Sequence, residues 1–445
     1  MSRSDSPSSS LADKALKVLT PYLRAKRWHI AFSGGMDSSV LLHLLSRLAS
    51  YRQLPPLHAI HVHHGLLKEA DDWVERCQQV CKFLQIPLSV EYVQVDQRAS
   101  LERAARDARY AAFARHIEED EVLLVAQHQD DQAETLLLRL LRGAGVKGLS
   151  AMATSRAMPK GHLIRPFLSI PREELLRYAL AEGLEWVEDP SNQQVVQDRN
   201  FLRHEVLKVL RLRWPQASNS IARSAGHMAE ALAVLEECAA MDLSAAQTGH
   251  AFSWLSLPSL ELEVIKQLSD YRQRNALRHW LDEYSRMPDT DHWAGWVALR
   301  DATVSANPVW VLEGGEMHRG AGRLWWVSRQ WLTAVLTPLQ WPEGQSEIQL
   351  GGNGQARIIG QRPEGVLDIR YRQGGEVMMV PRRGHRDLKR LLNEHHVPTF
   401  LRGRLPLLFC NGQLIAVANL SGLDSAADKR WRFEWTPATS GRRLS

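Results

Sequence analysis

The chain has 445 residues, of which 44% are hydrophobic and 24% charged, and a formal net charge of +5. That length exceeds one ordinary core and implies two or three domains; the composition is globular, and no apolar run is long enough to cross a bilayer. The serine-rich start lacks the apolar core of a signal peptide, and four cysteines make no disulfide framework in so long a chain, so the cytoplasm is the expected compartment.

The first strand-like run, Trp28-His29-Ile30-Ala31-Phe32, leads through Ser33-Gly34-Gly35-Met36-Asp37-Ser38-Ser39 into a helical pattern with Val40, Leu41, Leu42, Leu44, Leu45 and Leu48. Two adjacent glycines remove the Cβ atoms that would hold a polyphosphate away from the backbone, and they permit positive φ where strand becomes helix. Backbone N–H groups and the positive end of the helix then form a phosphate cradle, which the hydroxyls of Ser38 and Ser39 would reinforce. Asp37 is the odd member. A carboxylate repels phosphates unless a divalent cation lies between, so Asp37 is assigned to Mg²⁺. No Gly-Lys pair occurs in the chain, which excludes the Walker pattern and disfavours kinase-like and GTPase-like loops.

Further along, residues 58–62, 88–95 and 122–126 read as strands, and 72–84, 101–117 and 130–141 as helices. This alternation predicts an α/β domain with a doubly wound parallel sheet. In such a sheet ligands bind beyond the carboxyl ends of the strands, where Ser33, His63 and His128 emerge. Arg106 and Arg109, three apart on a helix, would neutralise phosphates or form a plain basic face. Asp131 and Glu134, also i, i+3, would hold an ammonium group or simply stabilise a helix amino end. Arg139 and Arg142 lead into a glycine-rich loop that would close over substrate or lie plainly at the surface. Glu188-Asp189-Pro190-Ser191-Asn192, followed by Arg199, Asn200 and Arg203, has turn chemistry with basic groups beyond it.

Arg213-Trp214-Pro215 makes a boundary. From 218 to about 300 the pattern is helical, and Trp254, Trp280, Trp293 and Trp296 read as helix packing, with RNA stacking the other use of such residues. Residues 308–341 look mixed. Gly351-Gly352-Asn353-Gly354 marks turns, after which short strands and a helix at 386–394 follow. From Arg362 to the last residue there are 15 Lys and Arg against 8 Asp and Glu, an excess of +7 that leaves the rest of the chain at −2. Such a concentration suits a nucleic-acid grip, or a solvated basic surface.

Ser33-Gly34-Gly35-Met36-Asp37-Ser38, His63-His64-Gly65-Leu66, Ala105-Arg106-Asp107-Ala108-Arg109-Tyr110, His128-Gln129-Asp130-Asp131-Gln132-Ala133-Glu134-Thr135, Arg142-Gly143-Ala144-Gly145 and Glu188-Asp189-Pro190-Ser191-Asn192, in that order, resemble the tRNA(Ile)-lysidine synthetase family of PP-loop ATP-pyrophosphatases. The resemblance covers the chain to about residue 210, with weaker stretches at Leu388-Lys389-Arg390-Leu391-Leu392 and Arg402-Gly403-Arg404-Leu405-Pro406-Leu407. His63 departs from the Asn that the family often carries before His-Gly. The resemblance implies an ATP-pyrophosphatase domain at 1–215, a mostly helical tRNA-binding domain at 216–345 and a small, basic α+β tRNA-binding domain at 346–445.

The activity it implies is an ATP-dependent carbon–nitrogen ligation on the wobble cytidine of a CAU-anticodon tRNA(Ile). ATP adenylates the C2 oxygen and pyrophosphate leaves; the ε-amine of free L-lysine then attacks C2 and AMP leaves. Ser33, Gly34, Gly35, Met36, Asp37, Ser38 and Ser39 would bind ATP, with Asp37 on Mg²⁺. Asp131 and Glu134 would orient lysine, and His128 would take the proton from its ammonium. Arg106, Arg109, Arg199 and Arg203 would contact phosphates or the activated base. Arg382, Arg383, Arg386, Lys389, Arg390, Arg402 and Arg404 would grip the tRNA. No membrane partner is expected, and a homodimer is left open. Two other readings stand beside this one: a related PP-loop tRNA thiolase, against which Cys77 and Cys81 argue by being spaced i, i+4 rather than as Cys-x-x-Cys, and an RNA-binding protein that only senses ATP.

Overall fold

The computed structural model describes residues 7–65, 70–94, 101–188, 197–249, 251–286, 290–303, 306–424 and 430–438. The chain forms two compact units that meet in sequence at Ala233 and Val234.

In the first unit six strands, β1 (Trp28–Ala31), β2 (Leu57–His63), β3 (Leu88–Tyr92), β4 (Val122–Leu124), β5 (Ser155–Ala157) and β6 (His162–Ile164), form one sheet in the order β3-β2-β1-β4-β6-β5. All neighbours are parallel except β5, which closes the edge antiparallel to β6. Central β4 is Val-Leu-Leu and wholly buried, as a parallel strand covered on both faces must be. The helices are α1 (Pro7–Leu19), α2 (Met36–Ala49), α3 (Ala70–Phe83), α4 (Leu101–His116), α5 (Gln129–Leu141), α6 (Val146–Leu149), α7 (Arg172–Ala181), α8 (Asp198–Phe201), α9 (Leu207–Arg213) and α10 (Ala217–Ala246), with a π-helical turn at Leu202–Val206. The division between the units falls inside α10.

The order in which the strands are visited decides which face each helix covers. From β1 the chain steps to β2 and β3 on one side, then crosses to β4; right-handed connections therefore put α2 and α3 on one face and α4 on the other. The cores agree. Residues of α1, α2, α3 and α7 share a cluster with Trp28, Ile30 and Phe32, whereas Phe113 and Ile117, at the end of α4, pack with Ile60, Leu123, Val125 and Leu163. Val40, Leu41, Leu44, Leu45 and Leu48 give α2 its buried stripe, where each leucine-to-alanine change would cost about 2–5 kcal/mol.

The second unit contains α11 (Leu262–Lys266), α12 (Asp270–Leu281), α13 (Ala294–Asp301), α14 (Arg329–Thr333), α15 (Leu388–Glu394) and α16 (Thr399–Arg402). Strands β7 (Ser259–Glu261), β8 (Val309–Leu312), β9 (Gly315–Gly320) and β10 (Arg323–Ser328) make an antiparallel sheet ordered β7-β10-β9-β8. The stretch that looked mixed is therefore four strands, three of them in this sheet, and a short helix. Trp280, Trp293 and Trp296 are buried in the core of this sheet with Trp310 and Trp326, so the tryptophan density is largely helix packing. Next come β11 (Leu339–Gln340), β12 (Glu347–Gln349), β13 (Gln355–Gly360), β14 (Leu367–Arg370), β15 (Val377–Val380), β16 (Gly384–Asp387), β17 (Leu407–Cys410), β18 (Gln413–Val417) and β19 (Trp431–Thr436). They form sheets ordered β11-β14-β17-β18 and β12-β13-β19 and the hairpin β15-β16. The helix expected at 386–394 begins only at Leu388, because the Asp387 side chain caps it by accepting from the Arg390 N–H. Arg386 accordingly lies on β16. Among the described residues no helix is long and apolar enough to cross a membrane.

Candidate functional site

The loop between β1 and α2 lies at the carboxyl end of the sheet. Gly34 has φ +84°, a region that costs a side chain strain, and a Cβ there would stand 3.1 Å from Cys77 Sγ. Its carbonyl accepts from the Val187 N–H at 2.9 Å, which ties the loop down. Gly35 is the amino cap of α2 and has no side chain to satisfy the first turn. Among the described residues the N–H groups of Met36, Asp37 and Ser38 therefore remain available at the positive end of a 14-residue helix. The hydroxyls behave differently from the expectation. Ser38 Oγ donates to the Gly35 carbonyl at 2.9 Å and accepts from the Ser33 N–H, and Ser39 Oγ donates to the Gly35 carbonyl at 3.1 Å. Both serines are buried and brace the loop from within; the anion-facing donors are backbone.

Asp37, in the first turn of α2, is the group the loop leaves unsatisfied. Its Oδ1 is buried without a hydrogen-bond partner among the described residues, and the Arg172 guanidinium stands 3.7 Å away. Its Oδ2 lies 3.6 Å from His128 Nε2. An orphaned carboxylate oxygen beside an uncapped helix end fits a hard cation shared with phosphates. Among the described residues no three His, Cys, Asp or Glu side chains gather to hold a metal by themselves, so phosphate and water oxygens would supply the remaining ligands.

His128 caps α5 reciprocally: its Nδ1 accepts from the Asp131 N–H at 3.4 Å, and its own N–H donates to Asp131 Oδ2 at 3.0 Å. Burial lowers its pKa, but the carboxylates of Asp131, Asp37 and Asp130 outweigh that and leave it raised above the usual histidine value. With Nδ1 accepting and Nε2 facing two carboxylates, the ring carries a proton on Nε2 in either charge state. It has no lone pair to offer an ammonium. This geometry argues against His128 taking the proton from lysine and for its linking Asp37 to Asp131.

Asp131 and Glu134 do share one helix face, and the structure adds what the spacing did not show. Arg199, on α8, donates to Asp131 Oδ1 at 2.9 Å and to Glu134 Oε2 at 2.8 Å. Arg203, in the π-helical turn, donates to Glu134 Oε1 at 2.6 Å and to Asp131 Oδ1 at 3.2 Å. Two carboxylates and two guanidiniums thus form a closed quartet with no net charge. Although burial opposes it, the charges of His128, Arg199 and Arg203 hold the Asp131 carboxyl below its ordinary range. Arg199 and Arg203, expected on phosphates, are bound to the pair expected to hold lysine.

Arg106 and Arg109 belong to a larger basic group that sequence spacing missed. The guanidiniums of Arg106 and Arg156 lie 5.6 and 5.3 Å from the centre of the Tyr110 ring, and buried Arg165 is near enough for Tyr110, Arg156 and Arg106 to influence its charge. No carboxylate pairs with Arg106, Arg109 or Arg156 among the described residues. Arg156 sits on the antiparallel edge strand, so no periodicity in its neighbourhood marks it. Arg139 is different, since it donates to the Gly148 and Ala151 carbonyls and pins the glycine-rich loop. Asp189, Pro190, Ser191 and Asn192 of the turn motif, and Leu66 of the histidine motif, lie outside the described residues. His61 is structural, with Nδ1 2.9 Å from the Phe32 carbonyl. Burial pushes the thiols of Cys77 and Cys81 up to about 12, which makes them inert packing groups.

In the second unit the β15–β16 turn presents Arg382, itself at φ +62°, and Arg383. Arg383 and Arg390 both pair with Glu394, while Arg386 and Lys389 have no carboxylate partner among the described residues. Arg402 donates to the Val397 carbonyl at 2.9 Å. Arg404 must be withdrawn from the RNA-gripping set. It is 5% exposed, stacks 4.2 Å from the Trp331 ring centre, and donates to Asn353 Oδ1 and to the Gly352 and Trp331 carbonyls. A guanidinium so engaged holds the core together and cannot reach a phosphate.

A PP-loop domain model matches residues 7–210, a TilS substrate binding domain model 260–325, and a TilS substrate C-terminal domain model 367–435. The chain is 55% identical over 438 residues to the tRNA(Ile)-lysidine synthase of Pseudomonas fluorescens, covering 98% of this chain and 99% of that one. It is 52% identical to the protein of that name from Pseudomonas aeruginosa, over 99% and 100% of the two chains. With the Escherichia coli O157:H7 protein the identity is 41%, over 89% and 92%.

Proposed function

The chain belongs to the tRNA(Ile)-lysidine synthase family, an ATP-dependent ligase of the PP-loop type that forms lysidine on tRNA(Ile), and from that premise we propose how its residues divide the work. The observation that carries the assignment is the continuity from Asp37 through His128 to the Asp131–Glu134 pair, with distances of 3.6 and 3.5 Å from His128 Nε2 to the two aspartates. A phosphate site and an ammonium site are joined by one buried side chain.

In the first step the C2 oxygen of the wobble cytidine of a CAU-anticodon tRNA attacks the α-phosphorus of ATP, and the bond to pyrophosphate breaks. The N–H groups of Met36, Asp37 and Ser38 would bind the triphosphate, with Gly34 and Gly35 allowing close approach. Asp37 would hold Mg²⁺, which when bound offsets the charge gathering on the departing pyrophosphate. In the second step the ε-nitrogen of free lysine attacks C2, the carbon–oxygen bond breaks and AMP leaves. Asp131 and Glu134 would receive the amino acid by exchanging a guanidinium contact for its ammonium. Arg199 or Arg203, once released, would be free to turn to a phosphate. Arg106, Arg109 and Arg156 would hold RNA or nucleotide phosphates as an otherwise uncompensated basic group. Residues 1–215 would carry the chemistry, with 216–345 and 346–445 binding tRNA. Arg382, Arg383, Arg386, Lys389, Arg390 and the half-buried Arg402 would lie along the RNA backbone, and the substrate puts the protein in the cytoplasm.

The thiolase reading loses support, because Cys77 and Cys81 are buried and stay protonated. Purified protein with Mg²⁺, ATP, lysine and a CAU-anticodon tRNA should release AMP and raise the mass of the tRNA by one lysyl unit. A tRNA that stays unchanged in mass would reject the ligase assignment.

A further inference from the structure

The second unit holds an arginine–aromatic helix face about a hundred residues before its basic hairpin in sequence. Tyr271, Arg274 and Arg278 are spaced i, i+3, i+7 along α12 and so share one face, and all three are exposed, Tyr271 to 81%. The Arg274 guanidinium lies 5.8 Å from the Tyr271 ring centre, and that of Arg278 lies 5.1 Å from the ring of Trp293. Neither arginine pairs with a carboxylate among the described residues. Beside this face is a cavity of about 230 Å³ lined by Asp270, Arg274, Trp293, Trp296, Val297 and Arg300. Trp293 is 7% exposed, yet its Nε1–H has no acceptor among the described residues. Two features of the wall are already satisfied: Trp296 Nε1 donates to Gln273, and Arg300 pairs with Asp270 at 2.8 Å and with Asp301 at 2.7 Å.

We propose that this face is an RNA-binding site that takes one unpaired nucleotide, its base in the cavity against Trp293 and Val297 and its phosphate on Arg274. The volume argues for one ring system, since pockets for drug-sized ligands run to about 300–1,000 Å³. Aromatic and guanidinium planes are the surfaces on which splayed-out bases stack, and the Asp270–Arg300 pair offers an acceptor and donors to a base edge. The orphaned indole N–H gains an acceptor when a base carbonyl or phosphate oxygen enters. Two cations on one helix face with no carboxylate partner among the described residues favour a polyanion over a neutral surface.

The inference rests on the assignment of tRNA as substrate, and its test is separable from that assignment. Binding of a CAU-anticodon tRNA transcript to the full chain is measured across a range of salt for the wild type, Arg274→Glu, Arg274→Lys and Tyr271→Ala. Arg274→Glu should weaken binding about tenfold and lower the slope of log affinity against log salt by about one. Arg274→Lys should keep the slope, and Tyr271→Ala should weaken binding with the slope unchanged. Should Arg274→Glu fail to fold, as judged by its melting curve, Arg274→Gln replaces it with the same expected loss of slope. Wild-type affinity and slope in the charge-removing variant would overturn the proposal and leave the face to a protein partner. A wild type that binds tRNA but adds no lysine would refute the catalytic assignment instead, with the slope comparison intact.

Discussion

At the amino end of the sheet in the first unit, Ser89 Oγ–H donates to His58 Nε2 at 3.1 Å, His58 Nδ1–H to His29 Nδ1 at 3.0 Å, and His29 Nε2–H to Glu121 Oε2 at 2.9 Å, which also accepts from the Glu118 N–H. That relay runs in one direction and closes with each of its links satisfied. At the carboxyl end of the same sheet, His128 links Asp37 to Asp131, and the quartet with Arg199 and Arg203 is saturated, yet among the described residues Asp37 Oδ1 and the first N–H groups of α2 have no hydrogen-bond partner. Both ends bury polar groups at comparable depth. The contrast lies in unmet bonding capacity: a closed network stabilises, whereas one with spare donors and a spare carboxylate oxygen is prepared for a ligand.

The strongest way to break this contrast is Asp37→Ala, which should lower pyrophosphate release by about 10³-fold, in the range of losses seen when a group stabilising developing charge is removed, while shifting the melting temperature little, because its contacts to His128 and Arg172 are long, at 3.6 and 3.7 Å. A collapse in stability of equal size would place Asp37 among the structural groups. Glu134→Gln comes next. It leaves two guanidiniums against one carboxylate in a buried quartet and should cost about 3 kcal/mol in chemical denaturation; a neutral result would mean that the quartet is not formed in solution.

At the opposite end, Glu121→Gln should cost about 2 kcal/mol while the folded fraction keeps its turnover, and lost turnover at full stability would erase the distinction between the two ends. The smallest effect is acid sensitivity. Burial first, and the neighbouring charges of His29, Arg27 and His116 after it, lower His58 to about 4, with Glu121 opposing. Between pH 6.5 and about 4 the unfolded chain binds a proton that the folded one refuses, so stability is full above that window and falls as pH drops through it. The loss should amount to about 1–2 kcal/mol after discounting for partial solvent contact. His58→Gln should flatten the denaturation midpoint against pH, and an unchanged slope would remove His58 from the relay's energetics.

The doubly wound sheet, the glycine loop and the acidic pair were legible because each depends on residues close in sequence. Alternation sets strand and helix, Gly34-Gly35 sets the backbone of the loop, and i, i+3 spacing puts Asp131 and Glu134 on one face. The errors share an origin. Ser38 and Ser39 turned inward because hydroxyls in a first helical turn reach nearby carbonyls as readily as a ligand. Arg404 lay in a basic stretch yet was drawn into the core around Trp331. His128 had the chemistry of a base until its two nitrogens were seen to be taken.

Local sequence therefore determined the architecture of the first unit and the glycine loop at the carboxyl end of its sheet, since periodicity and glycine conformation act over a few residues. Tertiary structure alone decided that Arg199 and Arg203 close on carboxylates 65 to 72 residues away, that Asp37 keeps an oxygen with no hydrogen bond among the described residues, and that Arg274 and Trp293 line one cavity. Desolvation and pairing of charges depend on which distant surfaces come together, and no spacing along the chain encodes that.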